Sequence, residues 1–151
     1  MLEYGQVYMA QIVKNPRALG RALDERGIKV LGAKRGYSQS HQVIADVKQF
    51  GGGLEVAHRL AHANLITNKN LVPCDRPEDW DRPSGLRMGT IEVTRLGLRE
   101  ADMAAIAAFI ARVLVENEPP GDVAKDVEDF RLPLQVLYYN FDNGLPPWAE
   151  F

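Results

Sequence analysis

One arginine set among apolar and small residues limits the folds open to this chain. The stretch is Ser84-Gly85-Leu86-Arg87-Met88-Gly89-Thr90, a short loop after the polar run Asn68-Lys69-Asn70-Leu71-Val72-Pro73. The pattern reads as a half-buried strand. A guanidinium cannot shed its proton to escape burial, so Arg87 needs a partner. Its planar fork suits a carboxylate held by two parallel hydrogen bonds. The amides of Asn68 and Asn70, on a backbone fixed by Pro73, suit orienting a second, polar ligand. The residues alone leave another reading open, in which Arg87 closes a structural ion pair and the asparagines are turn residues.

The chain has 151 residues, enough for a single domain over 1–151 and one core. Its 18 Lys and Arg against 20 Asp and Glu leave a net charge of -2, with no basic stripe. Binding to nucleic acid by phosphate neutralisation is therefore not expected. No apolar run is long enough to span a membrane, and no signal segment opens the chain. The single cysteine, Cys74, excludes an internal disulfide and fits a reducing compartment, so a cytoplasmic location is expected.

Taken in order, residues 2–26 form a helical segment. Val7, Ile12, Val13, Leu19 and Leu23 mark its apolar face. Asn15-Pro16 predicts a break, because proline removes a backbone donor, and Asn15 can cap a restarted helix with Pro16 at its first position. Residues 28–33 and 41–47 read as strands, the second with Val43, Ala45 and Val47 on one face. Gly51-Gly52-Gly53 is a helix entry; it lacks the spacing and lysine of a phosphate loop.

The helix after it, 54–63, has Leu54, Ala57, Leu60 and Ala61 as its expected apolar line. His58 and His62 lie one turn apart, but Arg59 stands where a zinc-binding HExxH pattern has glutamate. Solvated or capping histidines are expected, and no metal site. Residues 65–67 read as a short strand, 74–83 as a surface excursion carrying Trp80, and 86–94 as the arginine-bearing strand.

The clearest helix is 99–115, with Met103, Ile106, Ala107, Ile110, Val113 and Leu114 on one face. Beyond Pro119-Pro120-Gly121, Asp122 is the expected cap of a last helix carrying Val123, Val127, Phe130 and Leu134. An extended tail containing Leu145-Pro146-Pro147-Trp148 follows. The expected organisation is an α+β core over 28–115 and a helix with its tail over 121–151. The fold class is α+β: a small antiparallel or mixed sheet covered by helices on one face.

Several short runs occur together in one order. They are Gln11-Ile12-Val13-Lys14-Asn15, Ser38-Gln39-Ser40-His41-Gln42, Gly51-Gly52-Gly53-Leu54, Ile66-Thr67-Asn68-Lys69-Asn70, Pro83-Ser84-Gly85-Leu86-Arg87-Met88-Gly89 and Thr94-Arg95-Leu96-Gly97. From about Tyr4 to Tyr139 the chain resembles the C-terminal small domain of archaeal-type serine hydroxymethyltransferase. The resemblance implies the C-terminal domain fold of fold-type I pyridoxal-phosphate enzymes. The family moves a one-carbon unit from serine to a tetrahydropterin and leaves glycine. By resemblance Arg87 binds the amino-acid carboxylate, Ser84 and Gly85 shape the approach to it, Asn70 contacts the pterin, and His41 is structural.

The family's Schiff-base lysine follows a threonine-rich run. None of Lys14, Lys29, Lys34, Lys48, Lys69 and Lys125 has that context. The resemblance therefore implies no catalytic and no cofactor-binding residue in this chain, which is expected to be inactive alone and to bind no pyridoxal phosphate. Its implied partner is a large pyridoxal-phosphate domain, with homo-oligomerisation through exposed apolar surface. The competing expectations are a stand-alone binding or regulatory module, and one subunit of a split enzyme.

Overall fold

A computed structural model describes residues 5–138. Three strands form one antiparallel sheet in the order β1-β3-β2: β1 Gln42–Asp46, β2 Asn68–Asn70 and β3 Gly85–Gly89. Five helices accompany them: α1 Gly5–Asp24, α2 Gly53–Ala61, α3 Ile91–Arg95, α4 Glu100–Leu114 and α5 Pro120–Arg131. The class is α+β, as expected.

Alternation along the strands decides which face is covered. Val43 and Ala45 of β1, with Leu86 and Met88 of β3, are buried toward the helices. They meet Leu19 and Leu23 of α1, Val56 and Leu60 of α2, and Met103, Ala107 and Ile110 of α4 in one core. On the opposite face stand Gln42, Ile44 and Asp46 of β1, Arg87 of β3, and Asn68 and Asn70 of β2. None of these side chains is buried.

The break expected at Pro16 is absent: α1 runs as one helix with Pro16 inside it. Asn15 is not a cap but a fully buried hub. Its Nδ2 donates to Thr94 Oγ1 at 2.7 Å and to the Leu98 carbonyl at 2.9 Å. Its Oδ1 accepts from Gln11 Nε2 at 2.8 Å, and Gln11 also donates to Glu100 Oε2 at 2.8 Å. These bonds clamp α1 onto α3 and the start of α4. Anchoring to its neighbours holds the helix through a residue that would disrupt it in isolation.

Other expected elements shift. The strand at 28–33 shrinks to a single bridge, Val30 with Ala45, before a 3-10 turn at Ala33–Arg35. The Asn-Lys-Asn run is itself β2, and 65–67 precedes it outside any strand. The arginine strand ends at Gly89, since Ile91–Arg95 coils into α3.

In α2 the buried positions are Gly53, Val56 and Leu60, followed by Ala63; Leu54 and Ala57 are half-buried and Ala61 is exposed. Gly53 opens this helix against the β3 backbone, where a Cβ would collide with the Gly85 carbonyl. In α1, Val7 is 64% exposed, off the core face on which it was expected.

The face expected on α4 is buried except for Ile106, which is half-buried. The cap of α5 is Pro119, with Asp122 inside the helix. The Leu145–Trp148 segment lies outside the described residues.

Asn15→Ala should be strongly destabilising. It removes the side-chain donor to the buried Leu98 carbonyl and one of the two bonds of the Thr94 hydroxyl and of the Gln11 amide. The expected loss is about 2–4 kcal/mol, read as a lowered urea midpoint at unchanged slope. A loss within the error of the midpoint would show that the amide is not the clamp.

Candidate functional site

Strand register brings the sequence-predicted residues to one face. Arg87 stands in the central strand, directly opposite Ile44 on one side and Asn68 on the other. Asn70 pairs with Gly85, two positions along β3 from Arg87, and so projects from the same face. Arg87 is exposed, and among the described residues it has no hydrogen bond or ion pair. Neither Asp75, Asp81 nor Glu92, the acids near it in sequence, is bonded to it. Asn70 is half-buried and its Nδ2 donates to the Leu71 carbonyl at 2.6 Å.

The loop from β2 to β3 is held by Asp75. One carboxylate oxygen accepts the N–H of Val72 at 3.0 Å and that of Ser84 at 2.9 Å, which closes the loop at its neck. Burial pushes this carboxyl up most strongly, but hydrogen bonds from Ser84 and Val72 together outweigh it and leave Asp75 below its ordinary range. Ser84 is buried, and its carbonyl accepts the Val47 N–H at 2.9 Å. Ser84 is thus part of the frame that delivers β3.

Gly85 has a packing reason. A Cβ there would strike Val72 Cγ1 and the Asn70 carbonyl. The strand carrying Arg87 therefore lies as close to β2 and its exit as backbone allows.

Trp80 is 63% exposed on the excursion. Lys69 Nζ sits 5.3 Å from its ring centroid and donates to the Asp81 carbonyl at 2.8 Å. These contacts pin the excursion back on β2. His58 and His62 are both exposed. His58 borders a cleft of about 370 Å³ with Glu55, Arg82 and the first two glycines of the triplet. Among the described residues no group of three His, Cys, Asp or Glu is placed to hold a metal, and no helix is long and apolar enough to cross a membrane. His41 is exposed, and it is its backbone carbonyl that takes part in structure, accepting the Thr90 N–H at 2.9 Å.

Two members of this face were not singled out as neighbours of Arg87 from sequence. Asn68 and Ile44 become neighbours only through strand register, and period-two alternation around a known pairing would have found them. The Asp75 clamp had no sequence signal beyond an acid in a proline-bearing loop.

Comparison with known proteins shows the family. The profile described as serine hydroxymethyltransferase matches residues 2–110. The chain is 53% identical over 97% of its length to serine hydroxymethyltransferase of Pyrococcus furiosus, covering 35% of that protein. It is 49% identical over 94% of its length to that of Methanocella arvoryzae, covering 34% of it. The chain thus spans about a third of the length of the curated relatives it matches. Among solved structures, L-threonine transaldolase from Pseudomonas fluorescens, in its internal aldimine state, superposes with a TM-score of 0.78 at 31% identity. That match covers 95% of this chain and 32% of the other.

The clamp at the loop neck has a pH signature. The Asp75 pKa is lowered on folding, so its contribution is complete above the unfolded value of about 3.9 and is lost as pH falls through the folded one. Asp75→Asn should be less stable than the parent at neutral pH. The gap should narrow as the medium is acidified below the ordinary carboxylate range, as followed by urea melts across pH. A gap independent of pH would show that the charge of Asp75 does not hold the loop.

Proposed function

The chain belongs to the serine hydroxymethyltransferase family, and we propose that it supplies the substrate-facing surface of a glycine hydroxymethyltransferase without being catalytic alone. The observation that carries this reading is Arg87. It is permanently charged, exposed and unpaired among the described residues, in the middle of a sheet face with no buried side chain. Exposed and without an acid partner among the described residues, its fork is free to take a carboxylate.

In this reading Arg87 grips the carboxylate of serine or glycine with its two-pronged fork. Asn70, on the neighbouring strand and the same face, contacts the pterin. Ser84 and Gly85 shape the approach, since the clamp on Ser84 and the close packing at Gly85 set where β3 begins.

The family reaction transfers the one-carbon unit of serine to a tetrahydropterin, with pyridoxal phosphate as the electron sink. Among the described residues no lysine is set to hold that cofactor. Lys14, Lys29, Lys34, Lys48 and Lys125 are exposed, and Lys69 is engaged with Trp80 and the Asp81 carbonyl. A lysine that forms a Schiff base needs a desolvated or charge-crowded setting to lower its pKa. No bond-making step is therefore assigned to this chain; it binds and orients. The cofactor and its lysine belong, in this proposal, to a large pyridoxal-phosphate domain that is the chain's working partner. A cytoplasmic setting goes with that role.

Two outcomes test the proposal. A single exposed bidentate pair contributes only about 1 kcal/mol, far below the roughly 4 kcal/mol that millimolar binding needs. Titrating serine into the chain alone, followed by chemical shifts, should therefore give small changes centred on Arg87 that do not saturate at millimolar serine and vanish in Arg87→Ala. Submillimolar binding lost in Arg87→Ala would favour a stand-alone binding module instead. Changes that ignore Arg87 would remove it from the site.

Val7 at 64% and Met9 at 45% exposure leave apolar surface on the first turns of α1. Sedimentation should show concentration-dependent self-association that Val7→Glu with Met9→Glu weakens. A monomer at every concentration would exclude that surface as an oligomer contact.

A further inference from the structure

Pro16 leaves α1 one hydrogen bond short, and the donor that approaches the gap comes from the chain leaving the Arg87 strand. In a regular helix the amide of residue 16 would bond to the carbonyl of Ile12, and proline has no amide hydrogen. Ile12 is buried, so an unpaired carbonyl there would be costly. Thr90 Oγ1 lies 3.4 Å from the Ile12 carbonyl oxygen and 3.2 Å from that of His41. Thr90 is 1% exposed, which leaves its hydroxyl no access to bulk water.

A second route runs beside the first. The Thr90 carbonyl accepts from Thr94 Oγ1 at 2.6 Å, and Thr94 Oγ1 accepts in turn from Asn15, the residue before Pro16. The Thr90 N–H meanwhile donates to the His41 carbonyl at the entry to β1. Thr90 thus ties the exit of β3 to α1 directly through its hydroxyl and indirectly through Thr94, and to the neighbouring strand's entry through both its hydroxyl and its N–H. It does so three residues beyond Arg87.

We infer that Thr90 is a positioning residue: its hydroxyl closes the gap that Pro16 opens in α1 and so fixes the end of the strand that presents Arg87. The functional meaning of this inference rests on the proposed role of Arg87 at a carboxylate. The bonding itself does not, because no ligand takes part. The hydroxyl has one proton to share between the Ile12 and His41 carbonyls, and serine keeps that proton where valine removes it.

The test is amide hydrogen exchange on the whole chain. The proteins compared are the parent, Thr90→Val, Thr90→Ser, Pro16→Ala and the Pro16→Ala/Thr90→Val pair. In Thr90→Val, exchange at Thr90 and along β3 should rise on the order of tenfold, and Thr90→Ser should restore it. Pro16→Ala provides an amide for Ile12. In the Thr90→Val background it should therefore restore protection in α1 around residues 12–16 while β3 stays fast. Unchanged β3 exchange in Thr90→Val, failure of serine to rescue, or recovery of β3 in the double variant would each overturn the inference.

If Thr90→Val does not fold, the Pro16→Ala/Thr90→Val pair compared with Pro16→Ala decides. The new amide bonds the Ile12 carbonyl in both, so losing the Thr90 hydroxyl should speed exchange at the β3 exit severalfold while α1 keeps its protection, and no change would refute the link. Serine titration of the parent reports separately on Arg87. Loss of the carboxylate reading would leave the exchange results standing, and the reverse holds equally.

Discussion

The buried amide of Asn15 is the interaction on which the arrangement depends. An amide placed beyond the reach of water must have its partners supplied by protein, and each one here comes from a different part of the chain. Gln11 contributes from the preceding turn, Thr94 from α3, and the Leu98 carbonyl from the approach to α4. The donors and acceptors match without conflict, which fixes the amide's orientation. The helix that should break, the short turn after the arginine strand and the longest core helix after α1 therefore meet at one side chain. Apolar packing between α1 and α4 supplies bulk adhesion; the polar network sets the relative placement of the elements.

A second constraint follows from a sheet covered on one side only. The helices take the apolar alternates of β1 and β3 and leave the other alternates outward. That face pairs an aliphatic residue, a cation and an amide in one row across three strands: Ile44, Arg87 and Asn68. Its composition is that of a contact surface with polar anchor points. The glycines behind it serve distance: Gly53 and Gly85 let α2, β2 and β3 converge at one point. The entry of β3 is thus held by close backbone approach together with the hydrogen bonds of Ser84.

Much of this was legible in the sequence where periodicity is strong. The apolar stripe of α4 and the alternation of Val43 and Ala45 are readable because each buries against a large partner that rewards the pattern. The family resemblance rests on short runs whose order is specific, and the comparisons support it. What failed to read out is instructive. Asn15-Pro16 has the chemistry of a helix start, and only tertiary partners separated by about 80 residues in sequence overrule it. Asn68-Lys69-Asn70 has the composition of a loop, yet it forms a strand because β3 offers it a ladder. The buried stripe of α2, Val56 and Leu60 followed by Ala63, itself recurs at helical spacing, and the expected line passed over Val56. Arg87 and Asn70 were recognisable as candidates, but their sharing of one face depends on register, which is long-range information.

The shortness of β2 has a bearing on how such a chain behaves in a crowded solution. A sheet edge with free donors and acceptors invites a foreign strand to extend it. This edge has only three residues, a lysine in its middle, and a proline-bearing loop folded back by Trp80 at its end. The opposite edge is partly occupied by the bridge from Val30. A chain built this way is protected from growing by edge-to-edge templating even when its outward face is bare, so an uncovered sheet face need not turn the sheet into a seed.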